Sequence, residues 1–186
     1  MKESYLFLAE GFEEVEALMT VDIMRRAGME VTTVAIDNYE IVTGAHGVQV
    51  VADALLDEID LADPDILSNV DWLILPGGMP GSSNLSECRP LIDALLAHNA
   101  NGGKIAAICA APAVVLNRHG LLQGRRATCY PGFECPGTAL TAERVTVDRN
   151  IVTANGPSSA SNFALEIVRQ SKGDEAAIQV AAGMLF

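Results

Sequence analysis

Short runs of mostly apolar residues alternate along this chain with segments of helix-like periodicity. Tyr5–Ala9, Val70–Leu75 and Lys104–Ile108 are three such runs. A strand that is buried on both faces is apolar almost throughout, unlike the half-polar strand of a one-sided sheet. Strands of this kind that alternate with helices predict an α/β fold, in which a mostly parallel sheet is covered by helices on both faces.

The elements of this fold follow from apolar periodicity and from glycine, proline and asparagine breaks. The predicted strands are Tyr5–Ala9, Glu30–Ile36, Val70–Leu75, Lys104–Ile108, Ala127–Tyr130, Arg144–Val147 and Ile151–Ala154, with a hairpin over Glu40–Ala52. The predicted helices are Glu13–Arg26, Leu91–His98, a run after Cys109 through Leu116, Ser159–Gln170 and Asp174–Met184. The sequence shows neither repeats nor a linker, so we predict a single domain over residues 1–186.

Charge and hydropathy exclude several classes of protein. Acidic residues outnumber basic ones by 24 to 12, for a net charge of −12 at pH 7. Such a surface repels phosphate backbones and anionic lipids, so we expect neither nucleic acid nor a membrane as a partner. The longest apolar stretch, Ile105–Leu116, is interrupted by Pro112 and is shorter than the roughly 20 residues of a spanning helix. The first residues, Met1–Ser4, lack the parts of a signal peptide, and we expect a cytoplasmic protein.

The chain has four cysteines, Cys88, Cys109, Cys129 and Cys135. None forms a C-x-x-C pair and the three histidines are far apart in sequence, so we expect no metal site. Structural disulfides are not expected in a reducing cytosol. Each cysteine is therefore either part of the core or a chemical group.

Cys109 stands where an α/β protein places a nucleophile. It follows the apolar run Lys104–Ile108, it precedes Ala110 and Ala111, and a helical run starts directly after it. This order is typical of a nucleophile elbow, a tight and strained turn that tolerates only small neighbours. We expect the following helix N-terminus to lower the pKa of the thiol. The alternative, a buried inert cysteine, is about equally favoured by the residues alone.

Two further segments lie after predicted strands. Gly77 and Gly78 follow Val70–Leu75, and their backbone N–H groups could approach a ligand as an oxyanion hole, although an ordinary tight turn is the favoured explanation of a lone glycine pair. Glu16 lies between Val15 and Ala17 in the first helix, beside apolar stripes. Burial there would raise its pKa, and a protonated Glu16 could donate a hydrogen bond to a thiolate or carry a proton. The alternative is a solvated helix start.

The first helix has two apolar stripes, and the three histidines lie apart from Cys109 in sequence. Ala17, Leu18, Val21 and Met24 form one apolar stripe, while Val15, Met19 and Ile23 form a second. The second stripe covers either another element of the same chain or a partner subunit. His46, His98 and His119 are all expected at the surface, and none adjoins Cys109 in sequence.

Taken together, these segments resemble the ThiJ/PfpI superfamily over nearly the whole chain. Within it they are most similar to the branch of the Parkinson-disease-associated deglycase and its YajL-type bacterial relatives. The resemblance rests on Glu13–Glu16, Val21–Gly28, Leu75–Gly78, Ala106–Pro112 and Gly156–Ser158.

The resemblance implies a flavodoxin-like three-layer sandwich and a homodimer that packs through the first helix, including Val15, Met19 and Ile23. It implies that Cys109 is the elbow cysteine, easily oxidised to a sulfinic acid, and that Glu16 is its protonated partner. The remaining roles implied are backbone N–H donors at Gly78 and Ala110, and Arg26 and His46 near the dimer interface, where a partner subunit could bring them to the pocket.

Three positions depart from patterns in the superfamily. Tyr130 stands where the best-known member of the branch has a histidine, and a tyrosine is a poor base near neutral pH. His46 stands where arginine is common, which weakens anion binding but adds a titratable group. Ala110 stands where the protease-like branch has a histidine, which argues against peptidase activity.

Three functions remain for comparison. The resemblance favours a cysteine-dependent enzyme of the glyoxalase or deglycase type, which acts on small α-oxoaldehydes or glycated adducts without metal, nucleotide or flavin. The second is a redox-sensing stress-response protein or chaperone, in which Cys109 is oxidised to a stabilised sulfinate. The third is a small-ligand binder with inert cysteines.

Overall fold

A central sheet organises residues 2–186, which are the residues that the computed structural model describes. The strands are β1 (Glu3–Leu8), β2 (Val31–Ala35), β3 (Ile41–Thr43), β4 (Gln49–Val51), β5 (Ala54–Leu55), β6 (Val70–Leu75), β7 (Lys104–Ile108), β8 (Arg126–Ala127), β9 (Ala139–Leu140), β10 (Val145–Asp148) and β11 (Ile151–Ala154). The helices are α1 (Glu14–Arg26), α2 (Pro64–Ser68), α3 (Gly81–Glu87), α4 (Arg89–Ala100), α5 (Ala160–Lys172) and α6 (Asp174–Gly183), with a π-helix at Pro112–Asn117.

Seven of the strands form one sheet in the order β10-β11-β7-β6-β1-β2-β5. All neighbours in it are parallel except β10 and β11, which form an antiparallel hairpin. Strands β3 and β4 form a separate hairpin, and β8 pairs with β9. The predicted mostly parallel α/β fold is therefore confirmed.

Helices cover both faces of the sheet, as predicted. Along β1, Leu6 and Leu8 belong to the core on one face, and Tyr5 and Phe7 belong to the core on the other. The first core includes apolar side chains of α1, α5 and α6, and the second includes those of α2, α3 and α4. The alternation of burial along β1 is the consequence of side chains that point to opposite faces at successive positions. Within residues 2–186, no helix has both the length and the apolar character that crossing a bilayer requires.

The second apolar stripe of α1 is divided between core and surface. Ile23 is fully buried in the core that α1 shares with α5, so the prediction that it lies at a subunit interface is wrong. Met19 packs partly against the same core. Val15 and Leu18 are 50% and 40% exposed, and they form the apolar surface that α1 presents to solvent.

The structure differs from the predictions at one short strand, at His98 and at two short helices. The predicted strand Ala127–Tyr130 is limited to Arg126–Ala127, because the Thr128 N–H donates to the Thr153 hydroxyl instead of a strand ladder. His98 is buried rather than exposed, since its ring packs against Gly103, where the absence of a side chain leaves room for it. Burial lowers the pKa of His98. The short helices α2 and α3 were not predicted.

Candidate active site

Cys109 lies directly after β7, at the carboxyl edge of the sheet. Its backbone has φ 64°, in the left-handed region that residues other than glycine rarely adopt. Its N–H donates to the Ala154 carbonyl at the end of β11 (2.9 Å), which fixes the turn against the neighbouring strand. The π-helix at Pro112–Asn117 follows, so the strand, strained turn and helix of a nucleophile elbow are all present.

Small residues around Cys109 are required by close packing. A Cβ atom at Gly77 would lie 2.5 Å from the Cys109 Cβ and 2.6 Å from Glu16 Oε2. A Cβ atom at Gly78, whose φ is 88°, would lie 2.4 Å from the Glu13 backbone nitrogen. The two glycines therefore let the end of β6 pass between α1 and the cysteine.

Glu16 is fully buried in the first turns of α1, beside the thiol. Its Oε2 accepts a hydrogen bond from the Gly77 N–H (2.8 Å), while its Oε1 has no hydrogen-bond partner among the described residues. Burial raises the pKa of Glu16 to about 7, against the lowering effect of the Gly77 N–H. A carboxyl group that exchanges its proton near neutral pH is suited to acid–base chemistry.

The Cys109 thiol does not have the lowered pKa that the following helix predicts. Burial and the Glu16 carboxylate together raise its pKa to about 12, and the backbone N–H groups of Gly78 and Ala110 lower it only in part. Two adjacent anions are unfavourable in a buried site. The Cys109–Glu16 pair therefore holds one proton between pH values of about 7 and about 12.

Gly78 and Ala110 supply backbone donors at the sulfur. Both N–H groups act on Cys109 as hydrogen-bond donors, which stabilises negative charge there. They come from different segments, the end of β6 and the turn after β7. Sequence reasoning anticipated these two donors through the family resemblance, but it missed the Gly77 N–H on Glu16 and the Ala154 carbonyl on Cys109.

A second cluster lies where the β3–β4 hairpin meets the start of α1. His46 Nδ1 is 2.9 Å from Glu14 Oε2 and 3.7 Å from Glu13 Oε2. Although burial acts to raise it, the pKa of Glu14 is lowered to about 2 by hydrogen bonds from the side chain and backbone of His46 and from the Val48 N–H. Glu14 in turn raises the pKa of His46. Within residues 2–186, Glu13, Glu14 and His46 are the one group of three side chains close enough to bind a metal ion together. The Glu14 carboxylate, however, already accepts hydrogen bonds from the backbone N–H groups of His46 and Val48.

This cluster predicts a pH-dependent stability. We expect Glu14→Gln to lower the free energy of unfolding by about 1–3 kcal/mol near neutral pH, because the carboxylate accepts several hydrogen bonds. The pKa of Glu14 is about 2 in the folded protein, below its ordinary value of 4.5. The stabilisation is therefore fully present above pH 4.5 and is lost as the pH falls through about 2. Urea unfolding of both proteins across this range measures it. The exposed Glu40, replaced by glutamine, is the control, and a constant difference between wild type and Glu14→Gln down to pH 2 would contradict the assignment.

The backbone of Tyr130 is hydrogen-bonded to the turn that carries Cys109. Its N–H donates to the Cys109 carbonyl (2.8 Å), its side chain is 47% exposed, and its ring faces Gly156. Tyr130 also lines a cavity of about 380 Å³ that extends to Leu140 and Asn155. A larger cavity of about 870 Å³ between Leu56 and Asn101 contains none of the predicted site residues.

Arg26 and His46 are not brought to the thiol within one chain. Arg26 lies about 15 Å from Glu16 along α1, at 1.5 Å per residue, and pairs with Asp22 (2.7 Å). His46 is bound to Glu14. That a partner subunit brings either residue to the pocket stays a prediction.

Comparison with known proteins gives the chain relatives over its whole length. It is 38% identical over 188 residues to protein DJ-1 homolog B of Arabidopsis thaliana, covering 100% of this chain but only 42% of that protein. It is 34% identical over 170 residues to the glutathione-independent glyoxalase DJR-1.2 of Caenorhabditis elegans, covering 89% of this chain and 86% of that protein.

Solved structures and a family model agree with these relatives. The oxidised DJ-1 of Toxoplasma gondii superposes with a TM-score of 0.91 at 38% identity, covering 100% of this chain and 99% of that one. This likeness confirms the flavodoxin-like sandwich that the resemblance implied. A model of the DJ-1/PfpI family matches residues 2–170, a span that contains both Glu16 and the Cys109 elbow. With that match and these relatives, the chain belongs to the DJ-1/PfpI family.

Proposed function

We propose that the protein is a cofactor-independent enzyme that acts through Cys109 on small α-oxoaldehydes, such as methylglyoxal, or on glycated adducts. The observation that carries this proposal is the buried Cys109–Glu16 pair at the strand end, which gives up the first of its two protons near neutral pH. The pKa values of about 12 for Cys109 and about 7 for Glu16 place the remaining proton mainly on the sulfur, and the reactive form is the minor tautomer, with the charge on the sulfur and the proton on Glu16. The glyoxalase among the relatives supports the same reaction class.

The reaction begins when the Cys109 thiolate attacks the aldehyde carbon and forms a hemithioacetal. Glu16 then moves a proton from the aldehyde carbon to the neighbouring carbon, through an enediol, and leaves a thioester of the hydroxyacid on Cys109. Water hydrolyses this thioester, so that methylglyoxal and one water give lactate. No oxidant or reductant is consumed, which agrees with a site built from one thiol, one carboxyl group and backbone donors.

Backbone donors support each oxyanion in this sequence. The N–H groups of Gly78 and Ala110 act on Cys109, so an oxygen on the attacked carbon would lie close to both. They are held by the strand ends and need no rearrangement during the reaction. Cys109 is only 8% exposed, which restricts the site to small or extended substrates. Tyr130 would contact the substrate.

We propose that this enzyme is a homodimer and that it works in the cytoplasm. A homodimer would cover the exposed Val15 and Leu18 of α1, with Met19 at the margin of the contact. Its four cysteines are all free thiols, which suits the reducing cytoplasm.

Turnover of methylglyoxal by the wild-type protein tests the proposal directly. We expect lactate as the product, in a buffer that contains a metal chelator and no glutathione. The loss of methylglyoxal and the appearance of lactate are measured together, because trapping of the aldehyde by lysine or arginine would consume it without making lactate. Consumption of aldehyde without lactate would contradict the proposal.

The same geometry favours one second candidate, a redox sensor. A sulfinate on Cys109 would accept hydrogen bonds from Gly78, Ala110 and a protonated Glu16. Intact mass after mild peroxide treatment distinguishes the two functions. A gain of two oxygens on Cys109 with negligible lactate formation would favour the sensor.

A further inference from the structure

Two other cysteines lie together in the loop that carries Tyr130. The sulfur atoms of Cys129 and Cys135 are 4.0 Å apart, and both side chains are free thiols. Five residues separate them in sequence, so their contact is made by a turn and not by adjacent strands. The mechanism proposed for Cys109 uses neither of them.

The loop brings the two sulfurs together by a defined path. Gly132, with φ 94°, reverses the chain between them, and the Phe133 N–H approaches the Tyr130 carbonyl (3.4 Å). The end of the loop is anchored, because the Pro136 carbonyl accepts hydrogen bonds from Asn117 and Gln123. The sulfur–sulfur contact is therefore part of a folded turn.

The two thiols have different environments. Cys129 is half-buried, and the hydrogen bond from the Cys135 thiol lowers its pKa. Cys135 is 6% exposed, and both this hydrogen bond and burial raise its pKa. An accessible thiol of lowered pKa beside a buried one is the arrangement of an attacking and a resolving cysteine.

We propose that Cys129 and Cys135 form a redox-active dithiol that a low-molecular-weight disulfide converts into an intramolecular disulfide. The Cys129 thiolate attacks the disulfide, which forms a mixed disulfide and releases one thiolate. The Cys135 sulfur, after losing its proton to solvent, attacks Cys129 and releases the second thiolate. Two protein thiols are oxidised and one small disulfide is reduced to two thiols.

The disulfide would close a ring in the loop that is hydrogen-bonded to the turn of Cys109. The sulfurs must move from 4.0 Å to the bonding distance of about 2.05 Å, a change within reach of side-chain rotation and a small loop shift. The ring contains Tyr130, whose N–H donates to the Cys109 carbonyl. Oxidation of this pair would thus act on the backbone that supports Cys109.

Oxidised glutathione is the probe for the test. Wild-type protein and a Cys109→Ser variant are incubated with it, quenched in acid, alkylated under denaturing conditions and analysed by intact mass and by peptide mapping. Before alkylation we expect both treated proteins to be about 2 Da lighter than untreated ones, because each of the two thiols gives up one hydrogen. After alkylation we expect them to carry two fewer alkyl groups than untreated controls. The mapped link joins Cys129 to Cys135, and dithiothreitol reverses it.

Variants separate this pair from the other thiols. Cys135→Ser is expected to keep glutathione on Cys129, since no resolving thiol remains, whereas Cys88→Ser is expected to behave as wild type. Recovery of both Cys129 and Cys135 as alkylated peptides from wild type would overturn the inference, as would glutathione that persists on Cys129 when Cys135 is present. The result in Cys109→Ser is independent of whether the protein turns over aldehydes.

Discussion

Replacing Cys109 with serine is expected to abolish the conversion of methylglyoxal to lactate, with a fall in kcat/KM of at least about a thousandfold. A serine hydroxyl ionises far less readily than a thiol, and burial opposes its ionisation further. The backbone donors of Gly78 and Ala110 would remain, but no nucleophile would form the hemithioacetal. The measurement is lactate formation under matched enzyme and substrate concentrations.

Cys88→Ser is the matched control, because it makes the same chemical change at a half-buried cysteine outside the elbow. It is expected to retain wild-type turnover. Thermal unfolding of both variants establishes that the fold is intact. Wild-type turnover by a folded Cys109→Ser protein would refute the role assigned to the thiol.

Replacing Glu16 with glutamine is expected to lower turnover by about 10²- to 10⁴-fold, the usual range for loss of a general acid–base. The amide keeps the size of the carboxyl group and can still donate to the sulfur, but it cannot accept the substrate proton. It also removes the negative charge that opposes ionisation of the thiol. The pKa of Cys109 should therefore fall below its wild-type value of about 12.

The pH dependence of Cys109 alkylation by iodoacetamide measures this change. In the wild type we expect a main step near pH 12, where the thiol ionises, and a smaller step near pH 7, where the pair loses its first proton and a minor fraction carries the charge on the sulfur. Glu16→Gln should show one step, below pH 12. Glu13→Gln, on the same segment, should keep both steps, with the lower one moved slightly down because the Glu13 charge helps to raise the pKa of Glu16. A wild-type profile without the lower step would mean that the sulfur stays protonated at neutral pH, which contradicts the proposed reaction.

Most of the sheet could be predicted from the sequence because its central strands are buried on both faces. Val70–Leu75, Lys104–Ile108 and Ile151–Ala154 have the predicted bounds. The failures lie where tertiary contacts decide the backbone. Thr128 is held by a side-chain hydroxyl of β11, a contact that apolar periodicity does not encode. Helix α2 is only five residues long, too short to show a helical period.

The site was predictable in its parts but not in its electrostatics. The apolar run before Cys109 and its small neighbours indicated an elbow about as strongly as an inert buried cysteine, and the family resemblance, rather than the lone glycine pair, indicated backbone donors at Gly78 and Ala110. The position of Glu16 between apolar stripes indicated its burial. The raised pKa of the thiol was missed, because it depends on how near Glu16 lies to the sulfur, and these residues are 93 positions apart in sequence.

The two edge strands of the central sheet affect how readily the protein aggregates at high concentration. One edge strand, β5, has only two residues, so it offers few unpaired backbone groups to another chain. The other edge strand, β10, has four residues, and its last backbone carbonyl, that of Asp148, accepts a hydrogen bond from the Arg125 guanidinium (3.1 Å). Long, open edges are the templates on which sheets recruit further strands into fibrils. A concentrated solution of this protein is therefore expected to resist edge-to-edge aggregation as long as the sheet stays folded.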